Sequence, residues 1–293
     1  MGKHGLEEAV VEQRKQALKG VERLVVKVGT SLLADPTLAD PNSQIRKRVA
    51  QVVEQVQTLR MNGKKVIIVT SGAIGMGMVR LGLKSKPKEI PAKQATAAIG
   101  QVLLMEEYAR AFKAHGVPVG QMLLTRADFE NGHRYLNARN TLATLLAQGA
   151  VPVINENDSV AVEEIKFGDN DNLAAQVCNL AQAQLLVILT DVEGFYDKDP
   201  HKDRSAHLVP LVSKITRTII NSAGGEGSNV GTGGMATKIQ AARTVRAKHK
   251  MMAIVDGHRK DGLLKLMAFE EIGTLFSANF TRAGNKGPFG QKR

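Results

Sequence analysis

Apolar residues along the chain fall into two alternating kinds of segment. Short runs rich in Val, Ile and Leu end in glycine or an acidic turn: "RLVVKVG" at 23–29, "KKVIIVTSG" at 64–72, "HGVPVGQMLL" at 115–124, "VPVINEND" at 151–158, "QLLVILTD" at 184–191, "MMAIVDG" at 251–257 and "IGTLF" at 272–276. Runs of that length with few polar interruptions predict strands covered on both faces. Between them apolar positions recur at helical spacing. Ile45, Val49, Val52, Val53, Val56 and Leu59 form one stripe, opposite Arg46, Lys47, Arg48 and Glu54. A helix is expected from about Lys93 to Ala114 with Ile99, Val102, Met105, Ala109 and Phe112 on one side, and others over 137–150, 172–183 and 235–249. Residues 1–20 form an amphipathic segment through Leu6, Val10, Ala17 and Leu18 that nothing in the sequence ties to chemistry. The alternation predicts an α/β fold on a mainly parallel sheet, without internal repeats.

Four of the strands run into the turns "KVGTS", "TSGAIGMG", "NENDS" and "TDVEG". In open parallel sheets ligands bind where strand carboxyl ends, loop glycines and helix N-termini meet, so these turns imply one crevice. Neither the G-x-G-x-x-G dinucleotide fingerprint nor the G-x-x-x-x-G-K-[ST] phosphate loop is present. A phosphate site therefore has to be assembled from pieces: Lys27 within the first strand, the turn from Ser71 to Gly77, and "GTGGMATK" at 231–238, whose glycines and following helix suit an anion. A Gly-rich loop is often only a loop, and an isolated strand lysine usually reaches solvent. Burial of Lys27, however, would require an anionic partner.

The polar stretch 195–234, with Asp-Pro at 199–200 and "NSAGGEGSNVGTGG" at 221–234, reads as loops over a site or as disorder. "EIKFGDNDNLAAQ" at 164–176 places Asp169, Asn170, Asp171 and Asn172 in a row, to hold a metal, a substrate ammonium, or the start of a helix near Leu173. A calcium loop is excluded, because Leu173 occupies the third ligand position and the loop's glycine and distal glutamate are missing.

Charge and composition narrow the partners. Forty Lys plus Arg against 28 Asp plus Glu give a net charge of +12, which favours anionic ligands without choosing among them. The acid-free segment 277–293 offers only Phe280 and Phe289 for base stacking, so a solvated basic tail is expected rather than a nucleic-acid site. Cys178 is the single cysteine, which excludes an internal disulfide and multi-thiolate metal sites. None of the seven histidines has metal-ligand spacing with another, and Ser71 lacks the G-x-S-x-G elbow of a nucleophile. With no apolar stretch approaching twenty residues, a cytoplasmic protein without a membrane partner is expected.

The motifs "VVKVGTS", "IIVTSGAI", "KQATAAIGQ", "GQMLLTRADFE", "YLNARNTL", "INENDSVAVEEIKFGDNDNLAA", "LLVILTDVEGFYDKDP" and "GTGGMATK" resemble the amino acid kinase family, and within it the branch that phosphorylates glutamate. The resemblance implies a three-layer α/β/α sandwich, an extension over 1–20, a kinase domain over 21–276, and a tail over 277–293. The domain would divide into a glutamate-binding lobe over about 21–175 and an ATP-binding lobe over about 176–276. The implied reaction moves the γ-phosphoryl group of ATP, accompanied by Mg2+, to the side-chain carboxylate of L-glutamate, opening proline biosynthesis. Lys27 and Lys238 match the catalytic lysines and Asp171 the aspartate that orients them. Ser71, Gly72, Asn155, Asp158, Asp169 and Asn170 match substrate positions, with Asp158 and Asp169 suited to the ammonium and Ser71 and Asn170 suited to donate to carboxylate. Lys27, Thr190, Asp191, Thr232, Gly233, Gly234, Met235, Ala236, Thr237 and Lys238 match ATP positions. A stand-alone kinase domain, a homo-oligomer, proline as feedback inhibitor and a separate γ-glutamyl phosphate reductase are further implications. Rival readings are an acceptor other than glutamate (aspartate, N-acetylglutamate, carbamate or a nucleoside monophosphate) and a non-catalytic nucleotide- or nucleic-acid-binding protein.

Overall fold

A computed structural model describes residues 3–33, 41–161, 170–200, 202–224 and 234–278. Within them the runs rich in Val and Ile become β1 (Arg23–Val28), β2 (Lys65–Thr70), β3 (Val119–Leu124), β4 (Val151–Glu156), β5 (Leu185–Thr190), β7 (Met251–Asp256) and β8 (Thr274–Phe276), and β6 (Leu211–Val212) adds a short edge strand. They form one eight-stranded sheet in the order β3-β4-β2-β1-β5-β7-β8-β6, parallel throughout except for the β7–β8 pair. Polar Ser213 and Lys214 follow the two-residue β6 directly, which is why periodicity gives no signal for it.

Alternation along each strand splits the interior into two layers. Leu24, Val26 and Val28 of β1, with Val66 and Ile68 of β2, face one core shared with α3 (Pro41–Met61), α5 (Ile90–Lys113) and α11 (Gly262–Met267). Val25, Ile67, Val69, Leu186 and Ile188 face the other, shared with α7 (Gly132–Ala147), α8 (Asn170–Leu180) and α10 (Met235–Arg246). This is the expected three-layer α/β/α sandwich. Short helices α2 (Thr30–Leu33), α6 (Arg126–Glu130) and α9 (Arg217–Ser222) occupy the connections.

Three expectations change. "AIGMGMVRL" is helix α4 (Ala73–Leu81), so the turn after β2 is confined to Ser71 and Gly72, the latter at φ 101° where only glycine is unstrained. α5 is rotated from the expected face: Phe112 is buried and Met105 packs on the core as expected, but Ile99, Val102 and Ala109 are exposed, while Ala97, Gly100, Leu104 and Tyr108 are buried. Its neighbour decides this, since α4 crosses so closely that a Cβ on Gly77 would lie 1.9 Å from the Thr96 carbonyl oxygen, and one on Gly100 1.8 Å from that of Ala73. Spacing alone cannot see a glycine-to-glycine crossing. Third, α8 already includes Asn170 and Asp171 in its first turn, ahead of Leu173.

The N-terminal segment is helix α1 (Lys3–Lys19), and it is tied down. Leu18 is buried, Ala17 packs on the same core, and the side chain of Leu6 lies outside the described residues. Buried Arg14 donates to the carbonyl oxygens of Pro210, Ile272 and Gly273 around β6 and β8. Burial lowers the basicity of its guanidinium, partly offset by the charge of Glu271.

Candidate active site

The carboxyl ends of the parallel strands converge where α8 begins. Lys27 continues the Val25 stripe of β1 and points to the α8 side, and Asp171, in the first turn of α8, is fully buried opposite it. Lys27 Nζ lies 2.8 Å from Asp171 Oδ1, and Lys238 Nζ, from the first turn of α10, lies 3.3 Å from Asp171 Oδ2. All three side chains are nearly inaccessible, at 6%, 0% and 4%. Thr237 adds a hydroxyl donor, 3.0 Å from Asp171 Oδ2 and 2.7 Å from the Gly234 carbonyl oxygen. Two ammonium groups sharing one carboxylate sum to a formal charge of +1, in a setting where charges act through little screening. The start of α8 itself favours the carboxylate, because helix N-termini stabilise negative charge. At its other end Lys250 donates to the Cys178 and Asn179 carbonyl oxygens, and Arg23 to that of Ala181.

A second cluster lies beside the first, on the α5 side of the sheet. Asn170 Nδ2 donates to the Thr70 carbonyl oxygen at 2.6 Å and to Asn155 Oδ1 at 2.9 Å. Asn155 Oδ1 also accepts from the Glu156 backbone N–H at 2.9 Å, and its Nδ2 donates to Gln101 Oε1 at 2.8 Å. The Thr70 hydroxyl meets Tyr108, whose burial pushes its own hydroxyl up to about 12 and keeps it protonated. Ser71 extends the β2 ladder by donating its N–H to the Val28 carbonyl oxygen, and Asp158 lies in the turn after β4. One chemical expectation shifts here: both hydrogens of the Asn170 amide are engaged within the protein, so its side chain presents an oxygen rather than a donor.

On the β5 side the structure opens a cavity of about 770 Å3. Thr190, Asp191, Gly234, Met235 and Lys238 line it, as the sequence expects of a nucleotide site. Lys27, Ala236 and Thr237 are not among its lining residues. Thr237 is turned to Asp171 instead. Asp169, Thr232 and Gly233 lie outside the described residues. The remaining walls come from the polar stretch after Gly194, among them Tyr196, Lys198, Asp199 and Asn221, which periodicity leaves as loops. The signal that could locate them is the composition of that stretch, rich in turn residues and directly downstream of a strand end. Among the described residues, no group of three or more His, Cys, Asp or Glu side chains could hold a metal ion, and no helix is long and apolar enough to cross a membrane.

An open parallel sheet whose strand ends carry a lysine–carboxylate–lysine cluster that reaches the wall of a large cavity through Lys238 is the frame of a phosphoryl-transferring α/β enzyme. The sequence profile of the amino acid kinase family matches residues 22–256, and the chain belongs to that family. Within it the chain is 49% identical to glutamate 5-kinase of Pelobacter propionicus over 263 residues, 90% of this chain and 69% of that protein. Its identity to glutamate 5-kinase of Clostridium acetobutylicum is 44% over 264 residues, 90% of this chain and 97% of that protein. Among solved structures, carbamate kinase from Giardia lamblia bound to AMP-PNP matches with a TM-score of 0.64 at 13% identity, covering 89% of this chain and 99% of that one. The T. acidophilum isopentenyl phosphate kinase product complex matches with a TM-score of 0.58 at 15% identity, covering 87% and 99%. At such identities the last two speak for the fold alone.

Proposed function

We infer that this chain catalyses the glutamate 5-kinase reaction: it transfers the γ-phosphoryl group of ATP to the side-chain carboxylate of L-glutamate, the first step of proline biosynthesis. A carboxylate oxygen attacks the γ-phosphorus, the bond to the β–γ bridging oxygen breaks, and ADP leaves with γ-glutamyl phosphate as the other product. Relatives at 44% and 49% identity over 90% of the chain support the substrate pair. The observation that supports the residue roles is the buried Lys27–Asp171–Lys238 cluster at the cavity wall.

Two anions have to meet in this reaction, so the protein's main tasks are alignment and neutralisation of charge on the transferring group. Lys238 approaches from the nucleotide side and Lys27 from β1, while Asp171 holds both ammonium groups in register without leaving either as a solitary buried cation. Preorganised cations of this kind act most strongly where water is excluded. ATP occupies the cavity lined by Thr190, Asp191, Gly234 and Met235, and Thr232 and Gly233, outside the described residues, join its binding set. Magnesium accompanying ATP would supply positive charge against the phosphates and would be held mainly by the nucleotide, since among the described residues no group of three or more His, Cys, Asp or Glu side chains could hold it. Glutamate lies over the strand ends of β2 and β4, with Asp158 toward its ammonium, Ser71 toward a carboxylate, and Gly72 with its neighbouring amides toward the phosphoryl group; Asp169, outside the described residues, is a second ammonium partner. The acyl phosphate is labile, so a reductase must consume it promptly.

An acceptor assay tests this reading. With Mg-ATP, L-glutamate trapped as the hydroxamate should exceed aspartate, N-acetylglutamate, carbamate and nucleoside monophosphates by a wide margin. Equal rates among acceptors, or no glutamate turnover, would refute it. Repeating the assay with added proline checks feedback inhibition at the same site.

A further inference from the structure

The amide chain beside the triad has a fixed polarity. At one end the Thr70 carbonyl oxygen can only accept, so the Asn170 atom facing it at 2.6 Å is Nδ2. At the Asn155 amide the Glu156 backbone N–H can only donate, so the atom it meets at 2.9 Å is Oδ1. Asn155 Nδ2 then donates to Gln101, and the Gln101 atom receiving it at 2.8 Å is Oε1. Backbone groups thus set all three amides, and no alternative flip satisfies them. The consequence falls on Gln101 Nε2, which is buried and meets no acceptor among the described residues. A buried N–H without an acceptor is costly, and proteins keep one where something else completes it.

L-glutamate brings two carboxylates, and this seam is short of donors for them. Asn170 directs both of its N–H groups into the protein, and Asn155 directs one of its two to Gln101. The donor role that sequence resemblance suggests for Asn170 is therefore open. We propose that Gln101 is a further substrate-binding residue, whose Oε1 holds the Asn155 amide and whose Nε2 donates to a carboxylate of the bound amino acid. Its position selects which one. Asn155 shares the β4 face of Val151 and Val153, toward α5, whereas Lys27 shares the β1 face of Val25, toward α8. Gln101 is thus set across the sheet crest from the phosphoryl-transfer lysines, and it takes the α-carboxylate that does not react. This rests on the glutamate kinase reading above.

The test is steady-state kinetics and glutamate binding by calorimetry on the full chain, comparing wild type with Gln101→Met and Gln101→Glu. Met keeps the volume and removes both polar atoms; Glu keeps an acceptor for Asn155 and loses the donor. Both variants should raise the glutamate KM about tenfold or more, with kcat and the ATP KM within about twofold, since one donor to a charged group is lost. Gln101→Glu should be the worse near pH 8 and improve toward pH 6, because burial and the facing substrate carboxylate raise the pKa of the new carboxyl, which on protonation regains an O–H donor. A purely structural role would not produce that pH dependence. Unchanged glutamate KM in both variants, with wild type active on glutamate, overturns this inference alone. So does a pH-independent defect in Gln101→Glu, or one shared equally by the ATP KM. A wild type inactive on glutamate overturns both the inference and the reading beneath it.

Discussion

The acceptor side and the nucleotide side of this molecule are built in opposite ways. Around β2, β4 and α5 neutral amides, buried or partly buried, are bonded to one another in a chain from the Thr70 carbonyl through Asn170 and Asn155 to Gln101. The helices behind them cross at Gly77 and Gly100 with no room for a Cβ. Around β5 and α10 the walls mix charged side chains and turn residues with apolar ones such as Val192, Phe195 and Met235, enclosing about 770 Å3. A small amino acid is recognised by a few fixed groups, so its pocket needs rigid backing. A triphosphate spreads its charge over many oxygens, and a glycine-bearing loop with a lysine suits it better. Asp171 is where the two designs meet, with one oxygen for the lysine of each side.

Removing that meeting point should give the largest effect. Asp171→Ala leaves two ammonium groups buried together without their carboxylate, so turnover should fall by about a thousandfold or more. Stability should drop by about 3–5 kcal/mol, as when one partner of a buried pair is deleted. Urea unfolding and an ADP-release assay measure the two losses. Full stability in this variant would mean that the two sides do not depend on Asp171.

Lys238→Ala separates the sides more cleanly. Lys27 still neutralises Asp171, so folding should be nearly unchanged while kcat falls by about a hundredfold or more. Glutamate KM should move little. Wild-type kcat would refute the role given to Lys238.

On the acceptor side, Gly100→Ala places a methyl group 1.8 Å from the Ala73 carbonyl oxygen in the starting geometry. α4 and α5 must separate, at a cost of about 1–3 kcal/mol. The melting temperature and glutamate KM should suffer while ATP binding, measured by calorimetry, stays close to wild type. Equal damage to both ligands would dissolve the distinction between the sides.

The smallest effect concerns pH. Burial pushes the Tyr108 hydroxyl from 10.0 and the Cys178 thiol from 9.0 up to about 12 each. Between about pH 9 and 12 the unfolded chain therefore releases protons that the folded chain retains. By linkage its stability falls as pH rises through that window and is untouched below it. Cys178→Ala should flatten the early part of the decline in denaturant titrations. The same burial makes the native thiol unreactive toward disulfide reagents at pH 8, which a labelling time course reads directly.

Much of the site was legible in the chain. Lys27 stood out as a charge inside an apolar strand, and a buried ammonium demands an anion nearby. "GDNDN" stood out as an acidic cluster in a basic protein, and Thr190, Asp191 and "GMATK" followed a strand end and opened a helix. Gln101 gave no such signal, because a glutamine on a helix is ordinary until its partners are known. Nor did Thr237 announce that its hydroxyl serves Asp171 rather than lining the cavity.

The sequence by itself determined the strand and helix alternation, the parallel sheet, and the residues from which a phosphoryl-transfer site could be assembled. Periodicity and residue chemistry are local, and these properties are local too. Only the tertiary structure decided which residues of α5 are buried, that Thr237 joins Asp171, and that an amide chain leaves the Gln101 Nε2 without an acceptor among the described residues. Each depends on groups far apart in the chain. Hydrogen bonds and close packing acquire direction only when a fold brings such groups within a few ångströms.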